Sequence, residues 1–258
     1  MRIATFNANS IRTRLPVIIP WLEEHSPDIL AIQETKVQDH LFPEKELMEM
    51  GYHSVFKGQK SYNGVALISR QPLTNVRIGF FDDDEQNGPR LIRGQLGDIH
   101  IINTYVPQGR DRESEHYTAK LEWLRTFRKL LETDYSKDQK VVWVGDLNVA
   151  PEDIDVHDPK GLDGHVCFNR ELTELFYWVC SWGLHDVFRK HRPEPGHFSF
   201  FDYRAATVYS NKGWRIDHIL ATPPLFDQST DAWIDMTPRK RRTPKPSDHT
   251  FVVADFAV

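Results

Sequence analysis

Short apolar runs and helical stripes alternate along the chain. Runs rich in β-branched and aliphatic residues, bounded by polar, Gly or Pro positions, predict strands at Ile3–Asn7, Ile29–Glu34, Gly64–Ser69, Ile92–Leu96, His100–Tyr105, Val141–Gly145, Ile216–Ala221 and Phe251–Ala257. Apolar residues three and four apart predict helices through Val17, Ile18, Trp21 and Leu22, through Leu121, Leu124, Phe127, Leu130 and Leu131, and through Leu172, Leu175, Phe176 and Val179. Clusters at Pro193–Gly196, Pro223–Pro224 and Pro244–Pro246 mark loops rather than linkers, because strand-like segments resume after each. Ile92–Leu96 and His100–Tyr105 are separated only by a short turn around Gly97 and Asp98, too close for a purely parallel sheet. The pattern therefore predicts two packed mixed sheets with helices outside.

At 258 residues, 40% of them hydrophobic, the chain can bury a large core and reads as one α/β domain spanning residues 1–258. Cys167 and Cys180 are the only cysteines, and they form neither a disulfide framework nor a zinc spacing, which points to a reducing cytosolic compartment. The start of the chain reads as a strand, with no signal or transit pattern, and no apolar run approaches the roughly 20 residues a membrane helix needs. The net charge of −5 argues at first against a nucleic-acid partner. Charge is uneven, however: Asp82–Glu85 is acidic, whereas Arg239 to Lys245 is a basic run just before Ser247, Asp248 and His249. That run is either a solvated loop or part of a phosphate-binding face.

Acidic and amide residues fall where strand patterns end: Asn7, Glu34, Asn103, Asp146, Asn148, Asp217 and Asp248, with His249 beside the last. Such hard oxygen donors suit Mg2+ or Mn2+, and an ion held by them would polarise a phosphoryl oxygen and steady a leaving alkoxide. The most informative stretch is residues 141–156. Asp146 and Asn148 are two apart in an extended segment, so their side chains point the same way and converge on one point. A strand end followed by an Asp/Asn turn is the purely structural alternative. Together the residues predict one metal-dependent site that hydrolyses a phosphate ester.

Seven segments, GDLNVAPEDIDV with ATFNANSIRTR, AIQETKV, NGVALISR, NTYVPQG, GWRIDHIL and PSDHTFVV, resemble the exonuclease III and AP endonuclease family. That family belongs to the endonuclease/exonuclease/phosphatase superfamily, and the matches keep its order from first strand to last. The resemblance implies a DNase I-like four-layer α/β sandwich, two packed mixed β-sheets flanked by helices, with the site at one end of the sheets. It also implies Mg2+-dependent cleavage of DNA 5′ to abasic sites, with 3′-to-5′ exonuclease and 3′-phosphatase activities. Its metal set maps onto Asn7, Glu34, Asp146, Asn148, Asp248 and His249, with Glu34 as principal ligand, Asn7 nearby and Asp248 close to the same ion. By the same resemblance Asp146 activates the water or binds a second metal, Asn148 steadies the pentavalent phosphate, and Tyr105 contacts the phosphate or helps the leaving group. Asp217 orients His249; chemically, that carboxylate keeps the imidazole charged so that it can donate to a phosphate oxygen.

For the substrate, the resemblance implies duplex DNA carrying abasic sites or blocked 3′ ends, bound by a monomer with no membrane involved. Phe200, Trp214 and Ile216 match an apolar pocket for a flipped abasic sugar, which selects by shape. Asn9 fits the family pattern at its position, and Arg12, Lys36, Arg110 and the run from Arg239 to Arg242 are candidate phosphate contacts that position a duplex without reading its sequence. The loops Asp155–Asn169, which carries Cys167, and Ala205–Gly213 border this pocket in the family. Rival readings are a phosphodiesterase for inositol polyphosphates or sphingolipids, which would share the metal set, and a DNA-binding relative without catalysis.

Overall fold

A computed structural model of the chain describes residues 1–81, 88–203 and 207–258. The acidic stretch Asp82–Glu85, and Ala205 and Ala206 of the predicted pocket loop, lie outside the described residues. The elements are β1 (Arg2–Asn7), α1 (Ile11–His25), β2 (Ile29–Gln33), α2 (Glu44–Glu49), β3 (His53–Lys57), β4 (Val65–Ser69), β5 (Thr74–Ile78), β6 (Leu91–Leu96), β7 (Ile99–Tyr105) and α3 (Glu115–Asp134). They continue with β8 (Lys140–Asp146), α4 (Arg170–Cys180), β9 (His185–Asp186), α5 (Val187–His191), β10 (Asp217–Ala221), α6 (Pro223–Phe226), β11 (Ser229–Asp235), α7 (Thr237–Lys240) and β12 (Phe251–Phe256).

Two six-stranded sheets run β11-β12-β1-β2-β4-β3 and β5-β6-β7-β8-β10-β9. Both are mixed: β1 pairs with β2 and β7 with β8 in parallel, and their other neighbours are antiparallel. Each predicted strand forms within one residue of its predicted ends. β8 shows why its apolar run is continuous: Val142 and Val144 face the opposite sheet, whereas Val141 and Trp143 face α3 and α4. On the other side of the molecule α1 lays Ile18, Trp21 and Leu22 over Phe6 and Phe251, completing four layers of helix, sheet, sheet and helix. Among the described residues no helix is long and apolar enough to cross a membrane.

Elements without a continuous apolar run escape a reading of the sequence. β3, β5 and β11 lie at or beside sheet edges and mix polar with apolar residues; β5 is exposed along its whole length. Pro223–Pro224, expected to be loop, instead opens α6, where a proline without an amide hydrogen costs nothing. The basic run is also corrected in part. Thr237–Lys240 is helical, and Arg239 is buried, with its guanidinium over the Phe201 and Tyr203 rings and donating to the Phe201 carbonyl at 2.9 Å. A guanidinium so engaged is not available to DNA.

Asn103, grouped with the strand-end candidates in the sequence, belongs to the buried layer between the sheets. Its Oδ1 accepts from Gln33 Nε2 at 2.7 Å, and its Nδ2 donates to the carbonyls of Ile32 at 3.0 Å and Ala66 at 2.8 Å. One amide thus ties β7 of one sheet to β2 and β4 of the other. Replacing it with an apolar residue strands the Gln33 amide in a buried layer, so Asn103→Leu is expected to lower stability by about 2 kcal/mol. Urea unfolding should show a reduced midpoint at unchanged slope; an unchanged midpoint would mean the tie contributes nothing.

Candidate active site

Period-two alternation carries side chains of both sheets to one end of the layer between them. Along β1 the inward sequence is Ile3, Thr5, Asn7; along β2 it is Ile29, Ala31, Gln33; along β7, Ile101, Asn103, Tyr105; along β8, Val142, Val144, Asp146; and along β10, Ile219 and Asp217. An apolar layer therefore gives way to a polar tie at Thr5, Gln33 and Asn103, and then to the site. Immediately beyond the strands, Asn9, Glu34, Lys36 and Asn148 adopt left-handed φ values of 43°, 51°, 52° and 51°. Side chains other than glycine keep that conformation only where surroundings enforce it. Here Ser10 N donates to Glu34 O at 2.8 Å and Lys36 N to Asn63 O at 2.9 Å. Gly64 must be glycine, since a Cβ there would lie 1.9 Å from Thr35 Oγ1.

Asn7 links the sheets at the site: its Nδ2 donates to Glu34 Oε1 at 2.7 Å and to Asp146 Oδ2 at 2.8 Å. Lys36 Nζ bridges Glu34 Oε2 at 2.6 Å and Asn9 Oδ1 at 2.7 Å, and Asn9 Nδ2 donates to Asp248 Oδ1 at 3.0 Å. His249 Nδ1 is 2.8 Å from Asp217 Oδ2, and its Nε2 is 3.8 Å from Asp146 Oδ2. Ser247 Oγ secures this segment by donating to Asn7 O at 2.8 Å. Burial raises the Asp146 carboxyl to about 7, even though the facing His249 draws it down, because Asp217 and Glu34 add like charge. Burial works against a charged His249, but Asp217 and Asp146 outweigh it and push the imidazole up to about 10. The phenol of Tyr105 is held well above its ordinary value by burial and by Glu34 and Asp146.

These groups open onto a cleft of about 550 Å³ lined by Glu34, Tyr105, Asp146, Asn148, Asp248 and His249 on one side and by Phe200, Trp214 and Ile216 on the other. The apolar wall is joined to the polar side through the backbone. Phe200 and Trp214 exchange two hydrogen bonds of 2.9 Å, Phe201 N donates to Asp248 O at 2.8 Å, and the Phe200 and His249 rings lie 4.9 Å apart. Arg110 is exposed and lines an adjoining groove of about 590 Å³ that shares Tyr105 and Gln108 with the cleft. Arg12 is exposed on α1, and the structure does not place it among the cleft residues. Lys36 is committed to Glu34 and Asn9 rather than projecting freely to solvent.

Several residues at the site carry no mark that singles them out in the sequence. Arg90 lies over the Tyr105 ring at 4.8 Å, and Gln108, Leu162, His165 and Asp202 line the cleft. Arg90 precedes a strand in an otherwise ordinary segment and gives no local signal. Lys120 does give one: it falls on the α3 stripe formed by Tyr117, Leu121 and Leu124, where an apolar residue would be expected.

The donor set fits a hard divalent cation. Glu34, Asp146 and Asp248 offer carboxylates and Asn7 an amide within one hydrogen-bonded cluster, where acidic groups outnumber the cations that face them. Asp146, raised chiefly by burial, and a buried Asp217 Oδ1 that accepts no hydrogen bond are both carboxylate groups a cation would steady. Asp146, Asp217 and His249 also lie close enough to share an ion. Yet His249 Nδ1 is already bonded to Asp217, and a charged imidazole repels a cation, which favours the Glu34 side.

Comparison with known proteins agrees with this arrangement. The profile of the endonuclease/exonuclease/phosphatase family matches residues 4–249. Exodeoxyribonuclease III of Haemophilus influenzae is 34% identical over 99% of this chain and 100% of its own length. Among solved structures, an AP endonuclease from Archaeoglobus fulgidus superposes with a TM-score of 0.96 at 45% identity, covering 100% of both chains. A Neisseria 3′ phosphatase bound to a product DNA hairpin superposes at 0.95 with 33% identity, again over 100% of each chain. Fold and relatives converge, and the chain belongs to the endonuclease/exonuclease/phosphatase family in its exonuclease III and AP endonuclease branch.

Proposed function

We propose that this protein is a metal-dependent DNA-repair nuclease that hydrolyses phosphodiester bonds 5′ to abasic sites, with 3′-to-5′ exonuclease and 3′-phosphatase activity at the same site. The observation that carries the reading is the joining of an acidic, His249-bearing cluster to an apolar wall in a single cleft. The first serves phosphate chemistry and the second a sugar without its base. Relatives named for exodeoxyribonuclease, AP endonuclease and 3′ phosphatase activity support it. The proposed catalytic groups come from both sheets, so we take residues 1–258 to act as one domain, and we take the protein to act as a monomer. The two free cysteines fit a reducing cytosol.

In this reading Glu34, Asn7, Asp248 and Asp146 hold Mg2+, or Mn2+ through the same oxygen donors, and the ion supplies charge stabilisation at the phosphate. Asp146, poised near neutrality, takes a proton from the attacking water. His249, kept charged by Asp217, donates to a phosphate oxygen, and Asn148 steadies the phosphate from the cleft floor. Tyr105 remains a phenol and can donate to the phosphate or the leaving oxygen. Phe200, Trp214 and Ile216 enclose the extruded sugar. The decisive experiment uses a duplex with one tetrahydrofuran abasic analogue, with Mg2+ or EDTA, beside a hairpin ending in a 3′-phosphate. Incision 5′ to the analogue only with metal is expected, and failure to cut either DNA would overturn the reading.

Glu34→Gln removes a charged ligand that neither neighbouring Asn replaces. The variant is expected to keep the fold and to need about 10-fold or more Mg2+ for half-maximal activity. Unaltered cleavage at low Mg2+ would take Glu34 out of the metal site.

The pH profile has a sign set by the two shifted groups. Activity should rise as Asp146 loses its proton, with an acid limb at about 7 that moves lower as divalent ion is added, and fall as His249 loses its proton towards about 10. Asp217→Asn withdraws the carboxylate that keeps His249 charged, so the alkaline limb should shift to lower pH. A limb that stays in place would assign it to another group.

Arg12, Arg110 and the exposed Lys240, Arg241 and Arg242 remain candidates for phosphate contacts. Arg12→Ala with Arg110→Ala should flatten the dependence of log K on log salt by about 0.9 for each phosphate no longer neutralised. Arg239→Ala should leave that slope unchanged and lower the melting temperature instead. The reverse pattern would return Arg239 to the DNA face.

A further inference from the structure

Lys120 has its side chain completely buried within the packed face of α3. Its Nζ donates to the carbonyls of Asn148 and Val166, each at 2.7 Å, and of Gln108 at 3.2 Å, with Cys167 Sγ 3.9 Å away. An ammonium has three hydrogens to give, and three carbonyls from three separate loops take them. Each loop contributes to the cleft, which is lined by Gln108, Asn148 and Cys167. The fit is close: a Cβ on Gly109 would meet Lys120 Cδ at 3.3 Å.

A buried ammonium without a carboxylate partner is unfavourable unless its hydrogen bonds are complete, and packing alone would be served by leucine or methionine at this position. What the charge achieves here is local. Asn148 sits at a φ of 51° two residues beyond β8, and its backbone is fixed at both ends: its N donates to Asp146 Oδ1 at 3.0 Å and its O accepts from Lys120. Its side chain is then aimed by Nδ2, which donates to Val106 O at 2.9 Å, and by the Cys167 thiol 3.7 Å from Oδ1. Lys120 reaches two of these supports, the Asn148 backbone directly and Cys167 through the neighbouring Val166 carbonyl.

We propose that Lys120 is a positioning residue for catalysis: by gathering the carbonyls of Gln108, Asn148 and Val166 it sets the Asn148 side chain at the cleft floor without touching substrate. The inference rests on the reading above that Asn148 acts on the phosphate. Displacement of a catalytic group by about 1 Å can cost about 10²-fold in rate. Lys120→Met is accordingly expected to lower kcat by about that factor, with KM for the abasic duplex changed less than about threefold.

The test is a double-mutant cycle in single-turnover assays, with unfolding measured on each variant. Asn148→Ala alone should lower kcat by about 10²-fold or more. If Lys120 acts through Asn148, the double variant should be no more than about threefold slower than Asn148→Ala. Losses that multiply would overturn the proposal, as would an unchanged kcat in Lys120→Met. Full activity in Asn148→Ala would instead overturn the role of Asn148, a failure visible in the single variant. Should Lys120→Met not fold, Lys120→Gln, which retains one amide donor in the same space, carries the same comparison with the same outcomes.

Discussion

The amide of Asn7 donates to one carboxylate from each sheet, Glu34 beyond β2 and Asp146 at the end of β8, and the geometry of the site is built around that bridge. Two sheets packed through aliphatic side chains alone could slide against one another at small cost, because such contacts have no direction. Directional bonds remove that freedom. Gln33 and Asn103 set the register one step inside, and Asn7 sets it at the edge, so residues far apart in sequence meet within hydrogen-bonding distance.

Carboxylates brought together in this way repel, and burial makes the repulsion stronger. The fold answers with few cations. His249 is held charged between Asp217 and Asp146, Lys36 lies across Glu34, and Arg90 rests on Tyr105. Asp146 still retains its proton up to about 7. A site left short of positive charge suits a divalent ion. The net charge of −5 is compatible with such a site, since Glu34, Asp146, Asp217 and Asp248 contribute four formal negative charges to it at one place.

Buried arginines hold the cleft from behind. Arg215 lies between Trp214 and Ile216 in sequence but points away from the cleft, with Nε 2.6 Å from Asp155 Oδ1 and Nη1 2.8 Å from Asp186 Oδ2. These two carboxylates keep its pKa raised against burial, and they anchor the segment just before β10 that carries Trp214 and Ile216 of the apolar wall. Arg239 does similar work beneath Phe201 and Tyr203. Cations that composition would assign to DNA are in these cases structural.

How much was legible follows from what each residue answers to. The interior strands were readable because burial on both faces demands an unbroken apolar run such as Val141–Val144, whereas the edge strands β3, β5 and β11 make no such demand. Asp146, Asn148, Glu34 and His249 could be proposed from the sequence because they fall at strand ends within segments that resemble the family, and the structure places all four around one cleft. Asn103 carried the same strand-end signal and proved to be a tie between sheets, a difference that depends on the partner sheet and not on its neighbours in the chain. Arg90 and Arg239 were decided by tertiary structure alone, and Lys120, marked in the sequence only by its place in the apolar stripe of α3, found its partners there too, since whether a cation meets solvent, an aromatic ring or three converging carbonyls depends on loops distant in sequence. The chain by itself determined its interior strands and its long helices and gathered its candidate ligands at strand ends; the packing of one sheet on the other decided which polar side chains hold the molecule together and which line the cleft.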